Sequence, residues 1–255
     1  MKISVLTVCY NSAETIRETI ESVKQQSRVE IEYIIVDGGS NDETLDIINE
    51  YQNLISLVIS EPDNGIYDAM NKGISHCSGD IVAILNSDDS YYDENVLYDV
   101  SKAFEESATD IVFGDLVYVD RNNVEQVKRT WKTGAFVKGS FATGWHPPHP
   151  SFFVTRAVYE TNNDFDLNYR YAADFVLMHN LLEVKSKSAK YLPRYCVRMR
   201  EGGLTGASYK NIWKGNLEVI CYLKLHTKKF SPILYIISRL TPKIFNKVAI
   251  SLKFK

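Results

Sequence analysis

The chain is predicted to be an α/β protein: a Rossmann-like, open and mostly parallel sheet flanked by helices, followed by a basic helical tail. Three observations predict it. Continuous β-branched apolar runs alternate with helical periodicity through roughly the first hundred residues. Turn residues and carboxylates stand at the end of these runs. After Glu218 there is no acidic residue, while Lys, Arg and apolar side chains continue to the end.

The elements follow in order. "ISVLTV" is the uninterrupted run expected of a strand covered on both faces. Asn11 and Glu14 then have capping-box spacing, and Ile16, Ile20 and Val23 mark one helical face. "IEYIIVD" is a second strand, followed by Ser40 and Glu43 at the same capping spacing before "LDIINEY". "LISLVIS" reads as a third, buried strand. It ends in a tight "EPDNG" turn that opens the helix "IYDAMNKGI". "DIVAILN" is the fourth strand, broken by "SDDS". Beyond residue 110, "DIVFGDLVYVD" and "VEQVKRTW" form a hairpin around Asn122-Asn123. The stiff segment "GWHPPHP" leads into another strand. "YRYAADFVLMHNLL" is a helix with Asp174 near its start, and "YLPRYCVRMREGGLTG" is a strand entering a glycine-rich loop.

The 255 residues, 45% apolar and 24% charged, suffice for one large domain or a domain with a small appendage. An aromatic content of 12% argues against disorder. Cys9, Cys77, Cys196 and Cys221 lack metal-ligand spacing and read as reduced thiols of a cytosolic protein. No apolar stretch approaches the roughly 20 residues that span a bilayer. "KISVLTVCY" is too short for a signal-peptide core and runs straight into a helix start. The formal net charge of -3 divides into an acidic body and a basic tail. The tail "FSPILYIISRLTPKIFNKVAISLKFK" interleaves apolar residues with cations, which suits a helix lying on an anionic membrane surface or one packed on its own domain. Nucleic acid is not expected, because no nucleic-acid-binding motif accompanies the charge.

In open α/β sheets, ligands sit outside the carboxyl ends of the strands. Those ends collect Tyr10 and Asn11, then Asp37, then Glu61 and Asp63, then Asn86, Asp88 and Asp89. Singly, each is a cap or turn residue. Together, carboxylates at successive strand ends repel one another unless a cation or hydrogen-bond donors sit among them.

The ordered segments "VLTVCYNSAETI", "IIVDGGSNDET", "SEPDNGIYDAMNKGI", "GDIVAILNSDD", "PPHPSFFVTRAVYE", "YAADFVLM" and "MREGGLTG" resemble family 2 glycosyltransferases with the GT-A fold. The form of the third and fifth resembles the subgroup of bacterial surface-polysaccharide clusters, such as those for O-antigen, capsule and exopolysaccharide. The resemblance implies a catalytic domain over 1–206, its nucleotide-binding half at 1–110 and its acceptor half at 111–206, with a helical extension at 207–255. It implies that Asp37 accepts the uracil N3–H, with Tyr10 against the base and the backbone around Val8 in contact. Asn11, Asp63, Asn71 and Lys72 would line the nucleotide pocket beside Glu61; Lys72 either neutralises phosphate or is solvated. "NSD" stands where the family has its DxD motif, so Asp88 would hold Mn²⁺ or Mg²⁺ and Asn86 would meet ribose without adding charge. Asp89 either orients the sugar or caps the next helix. His149, which matches the family motif better than His146, would meet phosphate or acceptor, and Arg200 would sit on a flexible loop closing over the diphosphate. Asp174 would be the general base.

The activity so implied is inverting transfer of a hexose or N-acetylhexosamine from a UDP-sugar to a polyprenyl-diphosphate-linked saccharide. It would take place in the bacterial cytoplasm, at the inner face of the cell membrane. A non-catalytic nucleotide-sugar-binding subunit remains the alternative that Asn86 keeps open. A sugar-phosphate nucleotidyltransferase should carry a glycine-rich basic loop after the first strand, where this chain has "CYNSAET". A dinucleotide dehydrogenase would need GxGxxG there.

Overall fold

The computed structural model describes residues 1–161, 164–202, 209–228 and 230–238. Its first part is built of β1 (Lys2–Cys9), α1 (Ile16–Lys24), β2 (Glu30–Asp37), α2 (Thr44–Asn49), β3 (Leu57–Ser60), α3 (Ile66–His76) and β4 (Ile81–Ile84). There follow β5 (Ser90–Tyr91), α4 (Val96–Ser107), β6 (Ile111–Val119), β7 (Val127–Trp131), β8 (Phe152–Thr155), α5 (Arg156–Tyr159), α6 (Ala173–His179), β9 (Ala189–Arg200) and α7 (Tyr209–His226). One sheet runs in the order β3-β2-β1-β4-β8-β6-β9-β5, with β7 paired to β6. Its first four strands are parallel, in register from Lys2 opposite Glu30 to Cys9 opposite Asp37. Past β4 it becomes mixed, because β8 runs antiparallel to both β4 and β6.

The two faces of the sheet bury different side chains of the same strands, as period-2 alternation requires. Ile3 and Val5 of β1 join Ile35, Ile81, and Ile16, Ile20 and Val23 of α1 on one side. Leu6 and Val8 join Ile34, Val82, Met70 of α3 and the α6 residues Val176 and Leu177 on the other. Each fully buried Val, Leu or Ile stabilises the fold by about 1.5–3 kcal/mol. α7 rests on this second side through Val219, Tyr222 and Leu223, and Tyr235 joins the same cluster.

Three local expectations are corrected. β3 is an edge strand, paired to β2 alone, so Leu57 and Val58 are 37% and 41% exposed instead of buried. Asn11 and Glu14 do not cap α1: Thr15 is the capping position, and the Asn11 carboxamide instead accepts the Asn41 N–H at 3.0 Å. Ser40 and Glu43 likewise form no box, since Ser40 turns back to Asp37 while Asp42 accepts the Thr44 N–H. In both places the side chains tie neighbouring strand-end loops together, which satisfies their polar atoms better than capping one helix. Of the tail's cations, Arg239, Lys243, Lys247, Lys253 and Lys255 lie outside the described residues.

Candidate active site

The carboxyl ends of β1, β2 and β3 converge on Asp37. Its carboxylate is fully buried. One oxygen accepts the Gly39 and Ser40 N–H groups at 3.1 and 3.0 Å and the Ser60 hydroxyl at 2.7 Å; the other takes the Ser40 hydroxyl and the Cys9 thiol. Burial first, and Asp37 next, push the Cys9 thiol far above its ordinary range, so it stays protonated and donates. Asp37 thus fastens three strand ends together, and both its oxygens are engaged within the chain.

A second carboxylate stands over this knot. A Cβ at Gly38 would collide with the Asp63 carboxylate and come within 3.4 Å of the Tyr10 ring, so glycine is what lets these groups approach the backbone. Tyr10 is 61% exposed. Asp63 accepts the Gly65 N–H at 2.8 Å, and Gly65, at φ 115°, makes a turn that other residues adopt with strain. Tyr10, Gly38 and Asp63 form a shallow corner with an exposed ring and a carboxylate at its edge. The backbone of Val8, whose side chain points into the core, leads into it, and Asn11 braces the neighbouring loop by accepting from Asn41.

The helix that opens from this turn carries the next group. Tyr67 of α3 donates its hydroxyl to Asp174 of α6 at 3.0 Å and stacks on Phe165 with ring centroids 5.3 Å apart. Burial, then the Asp174 charge, push the Tyr67 phenol well above its usual range, so it remains a donor. Asn71, one turn further along, holds Phe165 through both its backbone N–H and C=O at 2.9 Å. Its amide is therefore spent on this bridge. His149 meets Phe165 edge-on at 5.6 Å; burial pushes its pKa down, with Asp174 opposing, which favours the neutral ring. His146 packs instead against Trp131 and Phe175. Lys72 binds Glu61 at 2.9 Å, Asp68 at 3.6 Å and the Pro62 carbonyl at 3.1 Å, bracing the loop that carries Asp63.

The third group lies beyond β4. Asn86 donates to Asp89 at 3.2 Å, and Ser87 meets Ser12 at 2.9 Å, tying this turn to the end of β1. The Oδ1 atoms of Asn86 and Asp89 are buried without a protein partner. Burial, reinforced by Asp88, drives the Asp89 carboxyl well above its ordinary range. Burial also raises Asp88, against the pull of Arg200 and Arg121. Arg200 is not on a flexible loop. It is the last residue of β9, buried, donating to the Arg121 carbonyl at 2.6 Å and paired with Glu18 of α1.

Three clusters are thus assembled: the Tyr10–Asp63 corner and the turn at 86–89 with Arg200 from strand ends, and the Tyr67–Asp174–His149 group from α3, α6 and the segment before β8. Tyr67, Phe165 and Gly38 were not singled out from the sequence. Tyr67 lies inside the "DNGIYDAMN" segment, but its partner is 107 positions away.

The chain belongs to glycosyl transferase family 2, which matches residues 4–159. It is 30% identical over 176 residues to the PGL/p-HBAD biosynthesis glycosyltransferase of Mycobacterium bovis (strain BCG / Pasteur 1173P2), covering 68% of this chain and 66% of that protein. The match thus spans slightly less than two thirds of that relative's length. A Bacillus subtilis (strain 168) glycosyltransferase, TuaG, whose name assigns it provisionally to teichuronic acid biosynthesis, is 39% identical over 92 residues, 35% of this chain and 36% of that one. Among solved structures, S. aureus TarS 1-349 in complex with UDP-GlcNAc superposes with a TM-score of 0.67 at 20% identity, over 91% of this chain and 69% of that one. The fold is GT-A.

Proposed function

We propose that the chain transfers a hexose or N-acetylhexosamine, with inversion, from a UDP-sugar to a saccharide linked to polyprenyl diphosphate. The observation that carries this reading is the Tyr67–Asp174 hydrogen bond. It holds a carboxylate of α6 against α3, the helix that opens from the Asp63 turn, so one rigid element links the nucleotide corner to the base. Likeness to a structure crystallised with UDP-GlcNAc supports a UDP-sugar donor. The name of the Bacillus relative supports a role in surface polysaccharide synthesis.

Tyr10 offers its exposed face to the base, and Asp63, whose carboxylate lies beside it, is the acceptor for the uracil N3–H. In this reading Asp37 is the buried support of that corner. Asp174 keeps one oxygen on the Tyr67 hydroxyl. The other takes the proton of the acceptor hydroxyl as its oxygen attacks the anomeric carbon and the bond to UDP breaks on the opposite face. Such general-base assistance is typically worth about 10²- to 10⁴-fold.

Among the described residues no group of three or more His, Cys, Asp or Glu could hold a metal on its own. The orphaned oxygens of Asn86 and Asp89 beside Asp88 are nonetheless hard donors, fitting a cation that takes its other ligands from a diphosphate. Asp88 would hold Mn²⁺ or Mg²⁺, which when bound neutralises charge on the departing UDP. Arg200, drawn electrostatically to Asp88 and Asp89, balances the same turn from the protein side.

The test is anomeric NMR of the product formed with lipid-extracted acceptor. A β-linked product from an α-linked donor, lost in Asp174→Asn while UDP still binds, is the expected result. UDP binding with no turnover of any UDP-sugar by the unaltered protein would favour the non-catalytic subunit. We place the enzyme at the inner face of the bacterial cell membrane, where such acceptors reside.

A further inference from the structure

α7 has two faces of different chemistry. Its inner face, Gly215, Val219, Tyr222 and Leu223, is buried against the core on the α6 side. Its outer face runs Lys210, Trp213, Lys214, Leu217, Cys221, Lys224 and Leu225, the three- and four-residue spacing of a single helical stripe. Every one of these residues is exposed, Trp213 by 65% and Leu225 by 81%. Lys228, just past the helix, continues the stripe. The one acidic residue of α7, Glu218, is turned away: it accepts the Tyr171 and Arg170 N–H groups at 2.8 and 3.3 Å.

We propose that this outward stripe of α7 is a docking face for an anionic lipid bilayer. It deepens the membrane reading above and rests on it only for the acceptor. Charge complementarity identifies the occupant. Lysines alternate with Trp and Leu on a face without acidic side chains, so anionic headgroups meet the cations while the indole sits at the headgroup level. No helix of the described residues is long and apolar enough to cross a membrane, so α7 lies on the surface. Residues 232–238 add Ile233, Leu234, Ile236 and Ile237, all exposed around a buried Tyr235.

The docking face also bears on the active site. Glu218 pins residues 170 and 171, just ahead of Asp174, so the docked helix is fastened to the segment that enters the base-bearing α6. A lipid-linked acceptor in the same bilayer would reach Asp174 from the side on which α7 lies.

The experiment is flotation of the full chain with vesicles of phosphatidylcholine alone or mixed with phosphatidylglycerol, alongside Trp emission. Binding to the mixed vesicles only, with a blue shift lost in Trp213→Ser, is expected. Each lysine near the surface contributes about fivefold in affinity. Lys224→Glu with Lys228→Glu should therefore weaken binding at least tenfold, with the thermal melt unchanged because both side chains are exposed. Equal binding to neutral vesicles, or full binding by the lysine variant, overturns the proposal. So does a dimer in sedimentation that Trp213→Ser dissociates, since a second copy would then cover the stripe. Vesicle binding by a protein that prefers a water-soluble acceptor would sink the lipid-linked acceptor and leave the docking face standing.

Discussion

At the scale of single residues, the site depends on which carboxylates are free and which are occupied. Asp37 is saturated by four donors besides the Cys9 thiol–carboxylate contact, counting the two backbone amides and two hydroxyls. Replacing it with Ala removes these hydrogen bonds from the buried end of three strands and should cost about 1–3 kcal/mol in urea unfolding. Asp63→Ala should instead leave the unfolding midpoint close to that of the parent. It should weaken UDP about tenfold by titration calorimetry, as expected for one charged hydrogen bond. The reverse pattern would return the base contact to Asp37. Tyr67→Phe removes the donor on Asp174. It should reduce kcat/KM roughly ten- to a hundredfold with the donor KM unchanged. An unchanged kcat/KM would reduce Tyr67 to a packing residue. The set of strand-end carboxylates was legible in the sequence. Their division of labour was not, because it depends on which oxygens the loop amides reach first.

At the scale of elements, α3 connects the Tyr10–Asp63 corner to Asp174, and its seat on β1 is tight. A Cβ at Gly73 would collide with the buried Leu6 side chain. Gly73→Ala should destabilise by about 1–3 kcal/mol through overpacking despite its gain in helix propensity. It should also lower kcat more than Gly→Ala at the open Gly139 position would, because Tyr67 moves with the helix. The strands other than β5, together with α1, α3, α6 and the 111–131 hairpin, were readable from the sequence pattern. β3 misled because an apolar run does not say whether a second strand will cover it. The two capping boxes misled because Asn11 and Ser40 found partners about 30 positions away or across a turn. Spacing within a helix start cannot register such competition. Arg200 was read into the loop after β9 for a related reason: its partner Glu18 is 182 positions distant.

Over the whole molecule, charge divides into an acidic body and a basic stripe along α7. The buried C-terminal packing adds a pH dependence. His179 is held by the Tyr222 hydroxyl at 3.0 Å, and burial, with His226 nearby, pushes its pKa down to about 4 from 6.5. A base depressed in the folded state contributes its full stability above the unfolded value. It loses that contribution as pH falls from about 6.5 toward 4. Across that window its share of the slope is up to one proton, about 1.4 kcal/mol per pH unit. His179→Asn should flatten urea stability between those pH values, and an unchanged slope would assign the acid sensitivity elsewhere.

The central claim is that the carboxyl ends of β1–β4 bind a uridine diphosphate through Asp88 and a divalent cation. Calorimetric titration of the full chain with UDP, in Mn²⁺ or in EDTA, tests it most directly. Binding in Mn²⁺ that chelation abolishes, that Asp88→Asn loses, and that GDP does not reproduce is the expected result. UDP binding unchanged by chelation and by Asp88→Asn, or GDP binding as tightly, would contradict it.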